Sequence, residues 1–251
     1  MKERIDTIPV NEAFSSGDEC PFCYLEREVE RRAIRYVLGS GASYMEPEVR
    51  AATDSSGFCR VHYKKMYDYG NALGSALMMQ TYYACLLEEL NARLDDYELP
   101  EKRQLFRKPK PGDAESLGQW LREKETSCYV CDRIEDSLSR YYATFFALSK
   151  EPEFREKVEN CKGFCLPHFA RLMERAVEGL PNSQRDWFYG TVPALMKQHM
   201  LRVKEDLDWF VEKHDYRQAG APWKNSMDAV PRSMQKLRGG HPSDKPYQTD
   251  F

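Results

Sequence analysis

The sequence has no long apolar run, no marked charge of one sign and no strand-like alternation. Its most apolar stretch, Leu73 to Leu90, is broken by Gln80, Glu88 and Glu89, which excludes a bilayer span. A formal net charge of −3 gives no electrostatic case for nucleic acid as a partner. No apolar h-region follows Met1-Lys2-Glu3-Arg4-Ile5-Asp6, so no secretory signal is expected and the cytoplasm is the expected location. Gly-rich phosphate loops, nucleophile elbows and His-Glu-x-x-His patterns are also missing. No catalytic residue and no organic-cofactor site is identified, and the expectation leans away from an enzyme. With 41% hydrophobic and 12% aromatic residues the chain can still build a core, which argues against global disorder.

What the chain does have is one ligand signature, written twice. The first copy is Cys20-x-x-Cys23 followed by Gly57-Phe58-Cys59-x-x-His62. The second is Cys128-x-x-Cys131 followed by Gly163-Phe164-Cys165-x-x-His168. Between the pairs each copy carries a further block, Glu46-Pro47-Glu48-Val49-Arg50 and Glu151-Pro152-Glu153-Phe154-Arg155. The first cysteines, the Glu-Pro-Glu blocks and the third cysteines are offset by 108, 105 and 106 residues, and this constancy marks a duplicated unit. Six of the eight cysteines occupy equivalent positions; Cys85 and Cys161 do not, and read as ordinary thiols. In a reducing compartment such spacings indicate metal or redox sites and not disulfides.

Cys3His suits a tetrahedral divalent ion, zinc first. Each copy is expected to hold one ion, the first through Cys20, Cys23, Cys59 and His62, the second through Cys128, Cys131, Cys165 and His168. Ligands three residues apart at a helix start share one face, so the metal would staple two helix N-termini, whose dipoles favour thiolates. Four protein ligands leave no open coordination position, which favours structural zinc over hydrolytic catalysis. Redox-responsive zinc or a thiol couple is the alternative, since zinc thiolates can be oxidised. An iron–sulfur cluster is the weaker fit, because clusters usually take four cysteines. A thioredoxin-like use of Cys-x-x-Cys would need a βαβ setting. His199 and His214 lack ligand partners at suitable spacing, and Glu46, Glu48, Glu151 and Glu153 read as helix-start charges.

Periodicity makes the chain all-α, with two tandem related helical units. Apolar positions Leu25, Val29, Ile34 and Val37 recur at helical spacing, as do Ile134, Leu138, Tyr142, Phe145 and Leu148. Pro47 and Pro152 start short helices that Gly57 and Gly163 end. Long helices follow each His, over 61–97 and 167–215, weakened at Gly70 to Gly74 and interrupted at Gly179-Leu180-Pro181-Asn182. The expected partition is residues 1–105, 106–216 and a C-terminal segment, 217–251. Pro109 to Asp113, after a basic run from Lys102 to Lys110, is the expected linker. Within the last segment Arg217 to Leu237 is expected to dock through Trp223 and the stripe Met227, Val230, Met234 and Leu237. His241 to Phe251 is expected to form a flexible tail.

Thr7-Ile8-Pro9-Val10-Asn11-Glu12-Ala13-Phe14, Ser43-Tyr44-Met45-Glu46, both Gly-Phe-Cys-x-x-His blocks and Asp215-Tyr216-Arg217 with Pro222-Trp223 resemble a bacterial family. It is number 6062 among domains of unknown function, frequent in anaerobic gut bacteria. The resemblance covers nearly the whole chain and implies a bacterial, cytoplasmic protein, but no activity. The functional expectation therefore comes from the residues: a zinc-binding helical scaffold or interaction module whose partner is another protein. The contact is expected at a groove between the halves or at the Trp223 segment. The alternative is a thiol/zinc redox or stress sensor.

Overall fold

The computed structural model describes residues 5–97 and 114–242. The expected linker with its basic run, and residues 243–251 of the expected tail, lie outside them. Among the described residues there is no strand. The α-helices are α1 (Thr7–Ser15), α2 (Pro21–Leu38), α3 (Pro47–Ser56), α4 (Arg60–Tyr69), α5 (Ala72–Asp95), α6 (Ala114–Thr126), α7 (Tyr129–Leu148), α8 (Pro152–Asn160), α9 (Leu166–Gly179), α10 (Arg185–Lys213) and α11 (Ala229–Arg238).

Proline and glycine set the boundaries as their backbone chemistry requires. Pro47 and Pro152 open α3 and α8, where a missing N–H costs nothing. Gly57 closes α3 at φ +59°, and a Cβ there would come within 2.7 Å of the Tyr82 ring, so only glycine fits. The first long helix is two: Gly70, at φ +88°, ends α4, and the Asn71 side chain then caps α5 by accepting from the Gly74 N–H. The second is divided after Gly179, where Leu180 and Pro181 turn extended. Helices α1 and α6 fall outside the repeated blocks and were not anticipated from them.

The tandem partition gives way to an interleaved one. Within the described residues, one compact unit is built from 5–29 and 136–242, the other from 30–97 and 114–135. The chain leaves the first unit inside α2 and re-enters it inside α7. The first unit has an aromatic core. Phe22 stacks on Tyr142 at 4.3 Å between ring centroids, and Phe14 packs against Phe145 and Phe154 at 5.5 and 5.2 Å. The core of the second unit gathers Ile34, Val37 and Leu38 of α2, Val49, Phe58, Met66 and Met78, with Cys128, Tyr129 and Val130 from the start of α7. Two hydrogen bonds join the segments that meet there: Tyr129 N–H donates to the Gly57 carbonyl (3.0 Å) and Ser127 Oγ to that of Ser56 (2.7 Å). The first bond satisfies an N–H at the start of α7 that has no partner within its own helix.

The segment after α10 docks in the first unit, but by the opposite face from the one its apolar stripe suggested. Helix α11 packs on α9 and α10. Of the stripe, Met227, Met234 and Leu237 stay exposed and Val230 is half-buried, whereas Arg232, Gln235 and Lys236 are buried. Arg232 pairs with Asp206 and Asp228 at 2.8 Å, and Gln235 donates to Asp18 at 2.8 Å. The Lys236 ammonium, 1% exposed, donates to the carbonyls of Glu19 and Lys162 and lies 3.3 Å from the Glu19 carboxylate. Acceptors converge on this face, so cationic and amide donors outcompete methionine and leucine for it. Lys236→Met should therefore destabilise the protein by about 3 kcal/mol, the cost of leaving a buried acceptor set short of its cation. Leu237→Ser should shift stability by less than about 0.5 kcal/mol. Urea midpoints check both, and an unchanged midpoint for Lys236→Met would refute docking through polar contacts.

Candidate metal centre

Four helix starts carry the candidate ligands, each in the same way. Cys20, Cys59, Cys128 and Cys165 immediately precede α2, α4, α7 and α9; Cys23, His62, Cys131 and His168 are the third residues of those helices. These are the two positions of a capping box, and here sulfur and imidazole occupy them. The backbone of Cys59 and Cys165 is extended, with ψ of 164° and 160°, as a cap requires. Positive dipole ends and free N–H groups therefore face every thiolate.

All eight expected ligands come together in two quartets, but the pairing is crossed. Cys20 and Cys23 of the first copy meet Cys165 and His168 of the second, while Cys59 and His62 meet Cys128 and Cys131. Neither copy completes a site by itself, which corrects the assignment of one ion to each copy's own four ligands. Each crossed quartet lies within one compact unit.

The donor atoms of each quartet lie within 4.8 Å of one another. In the first, His168 Nδ1 is 3.5, 3.4 and 3.1 Å from the sulfurs of Cys20, Cys23 and Cys165, and Cys23 Sγ is 3.6 Å from Cys165 Sγ. In the second, His62 Nδ1 is 3.2, 3.2 and 3.4 Å from Cys59, Cys128 and Cys131, and Cys59 Sγ is 3.8 Å from Cys131 Sγ. A tetrahedral zinc with bonds of about 2.3 Å to sulfur and about 2.05 Å to nitrogen has edges of about 3.8 Å (S···S) and about 3.6 Å (S···N). The distances above lie within about 0.5 Å of those edges, and the remaining sulfur pairs are within 4.8 Å, so the residues fit such an ion.

Their electrostatics favour a cation as well. Burial opposes charge on His62 and His168, yet hydrogen bonds with Cys128 and Glu30, and with Cys165 and Cys20, push them up to about 10. Burial also opposes ionisation of Cys128, but His62 and the backbone of Cys131 and Cys59 draw it down to about 6. Cys20 is lowered well below the usual thiol range, hydrogen bonds from Cys165, Cys23 and His168 overcoming burial. Cys23 is raised by its bonds with Cys165 and Cys20 and by burial. Neighbouring thiols cannot all ionise unaided; a divalent ion supplies the positive charge that lets them.

Two carboxylates that the motif does not contain orient the imidazoles. His62 Nε2 is 3.0 Å from Glu30 Oε1, and Lys65 Nζ holds both oxygens of Glu30 at 2.5 and 2.6 Å. His168 Nε2 is 3.5 Å from Glu26 Oε2. This turns Nδ1 toward the sulfurs and Nε2 toward a carboxylate, the disposition of a carboxylate–histidine–metal arrangement. Both glutamates belong to α2, one and two turns beyond Cys23. Helical spacing places them on the ligand side, but their histidines come from elsewhere in the chain.

Motifs, helix positions and Gly-Phe-Cys turns together define this architecture, and residues 1–244 match the family of unknown function DUF6062. The chain belongs to that family. No curated protein and no solved structure matches it. In this DUF6062 member the remaining cysteines, Cys85 and Cys161, take no part in either quartet. Nor do the helix α10 histidine and its cap: His199 accepts from Arg202 Nε at 3.0 Å and His214 bonds the Phe210 carbonyl at 2.7 Å.

Crossed pairing has an arithmetic signature. Cys20→Ser/Cys165→Ser damages one quartet and should leave one zinc per chain, whereas Cys20→Ser/Cys59→Ser damages both and should leave none. Pairing within each copy predicts the reverse, so elemental analysis of the two double variants decides. Glu30→Gln should weaken zinc binding at its quartet about 10–100-fold, read by competition with a chromophoric chelator.

Proposed function

We propose that this protein is a helical scaffold stapled by two structural zinc ions, and that its work is to bind another protein. The observation that carries the metal reading is the fit of both quartets to tetrahedral edges, all from helix starts. Four protein ligands saturate the ion, so its contribution is to folding. In each quartet the ion joins ligands far apart in sequence. His62 and Cys128 are separated by 66 residues, and Cys23 and Cys165 by 142. The metal thus closes long loops that the helices alone would leave open.

Helix α5 supports the interaction reading. Its apolar residues are spread around the helix instead of being gathered on one core-facing side. It buries Gly74 and Met78, yet Leu73, Tyr83, Leu87 and Leu94 are 67%, 60%, 50% and 48% exposed. That stripe runs about 32 Å along the helix, the kind of uncovered apolar face that marks an interaction site. Trp223 is the poorer contact, since its half-buried ring packs on Phe210, His214 and Lys213 at 5.8, 5.5 and 5.2 Å.

Purified protein should contain about two zinc per chain, and removing them with a strong chelator should lower helicity and Tm, since such sites contribute on the order of 10 kcal/mol. Leu87→Glu should keep Tm and zinc but abolish association with the partner that co-purifies with the native protein. Full stability after loss of both metals would sink the structural reading; undiminished association of Leu87→Glu would sink the contact face.

A further inference from the structure

The quartets share ligand types and helix positions, but not their covering. In the first, Cys20, Cys23 and Cys165 are wholly buried and His168 is 4% exposed. The end of α11 closes over it: a Cβ at Gly239 would lie 3.6 Å from Cys165 Sγ and 3.8 Å from Cys23 Sγ. The buried Lys236 ammonium sits on the carbonyl of Glu19, the residue before Cys20, and brings positive charge to a centre that three thiolates leave net negative. The second quartet buries only His62 and Cys128. Cys59 is half-buried and Cys131 is exposed, and their sulfurs are 3.8 Å apart. The two accessible thiolates are thus neighbours, on the one quartet that a solute can reach.

We infer that the second quartet is a thiol-modification site, at which hydroperoxides oxidise Cys131, Cys59 closes a disulfide with it and the zinc of that quartet is released, while the first quartet keeps its metal. Cys131 attacks the terminal oxygen of the hydroperoxide. An S–O bond forms, the O–O bond breaks, and the alkoxide or hydroxide leaves with a proton from solvent. Cys59 then attacks the sulfenic sulfur, an S–S bond forms, and the oxygen departs as water after a second proton. Two thiolates lose two electrons, which are those that reduce the peroxide. Only His62 and Cys128 then remain as ligands, too few to hold zinc against solvent. Thiolate reactivity follows access, and access is what separates the two quartets.

The inference rests on zinc occupying both quartets, so the test begins from measured zinc content. Two-zinc protein is treated with hydrogen peroxide, zinc release is followed with a chromophoric chelator, and disulfides are mapped by mass spectrometry. One zinc should leave at least about tenfold faster than the other, with a Cys59–Cys131 disulfide, reversed by thiol reductant and added zinc. Cys131→His replaces the oxidisable sulfur with a nitrogen donor; its zinc content is measured first, and protein still carrying two zinc should lose the fast phase. In the unsubstituted two-zinc protein iodoacetamide should label Cys131 and Cys59 before Cys20, Cys23 and Cys165. Simultaneous release of both ions, a Cys20–Cys23 disulfide formed first, or an unchanged fast phase in Cys131→His overturns the inference alone. Fewer than two zinc at the start overturns the metal reading and this inference with it.

Discussion

A cluster of three thiolates and an imidazole survives inside a protein only where donors and positive potential face it. Here the starts of α2, α4, α7 and α9 supply both, and they do so in pairs. Each cysteine that precedes a helix fills the cap position, and the ligand three residues later completes the same turn. The rest of the chain is arranged to bring those starts together. Gly57 turns where no side chain fits against Tyr82, and its carbonyl receives the first N–H of α7. Glu26 and Glu30 then fix which imidazole nitrogen faces the sulfurs.

The two units solve the same local problem with different surroundings. In the first, an aromatic cluster lies behind the site, with Phe22 between two ligands and packed on Tyr142, Phe164 and His168. Helix α11 covers the front with a lysine and a glycine, one giving charge and the other close approach. In the second, a mixed aliphatic and aromatic core surrounds Cys128, and Cys131 faces solvent. Identical ligand chemistry in unequal dielectric and access gives one closed centre and one open centre. The ligand motif is written twice; the C-terminal segment, which is not repeated, makes its two settings different.

The C-terminal helix also illustrates why burial is decided by the partner surface. Its apolar stripe is real in the sequence, yet a helix turns toward whatever its neighbours need. Near Glu19, Asp18, Asp206 and the Lys162 carbonyl the need is for donors, and Arg232, Gln235 and Lys236 meet it. Leaving those acceptors buried and unpaired would cost more than exposing Met234 and Leu237 does, since burial of apolar area returns only about 25 cal/mol per Å².

The helical class, the eight candidate ligands and most helix boundaries are legible in the sequence, because each rests on local chemistry: ligand spacing of three, proline at a first turn, glycine where φ is positive. The sequence also implies two quartets, since the motif is duplicated in register. It could not determine which half-site joins which. Both copies offer the same half-sites at the same spacing, so the ligand chemistry of parallel and crossed pairings is identical. Contacts remote in sequence break the tie: Tyr129 and Ser127 bonded to the Gly57 and Ser56 carbonyls, and Phe22 stacked on Tyr142. Tertiary structure alone likewise decided that Glu26 and Glu30 face histidines, that α11 docks by its polar face, and that one quartet is covered while the other stays open. Each depends on which surfaces meet, and no local spacing encodes that.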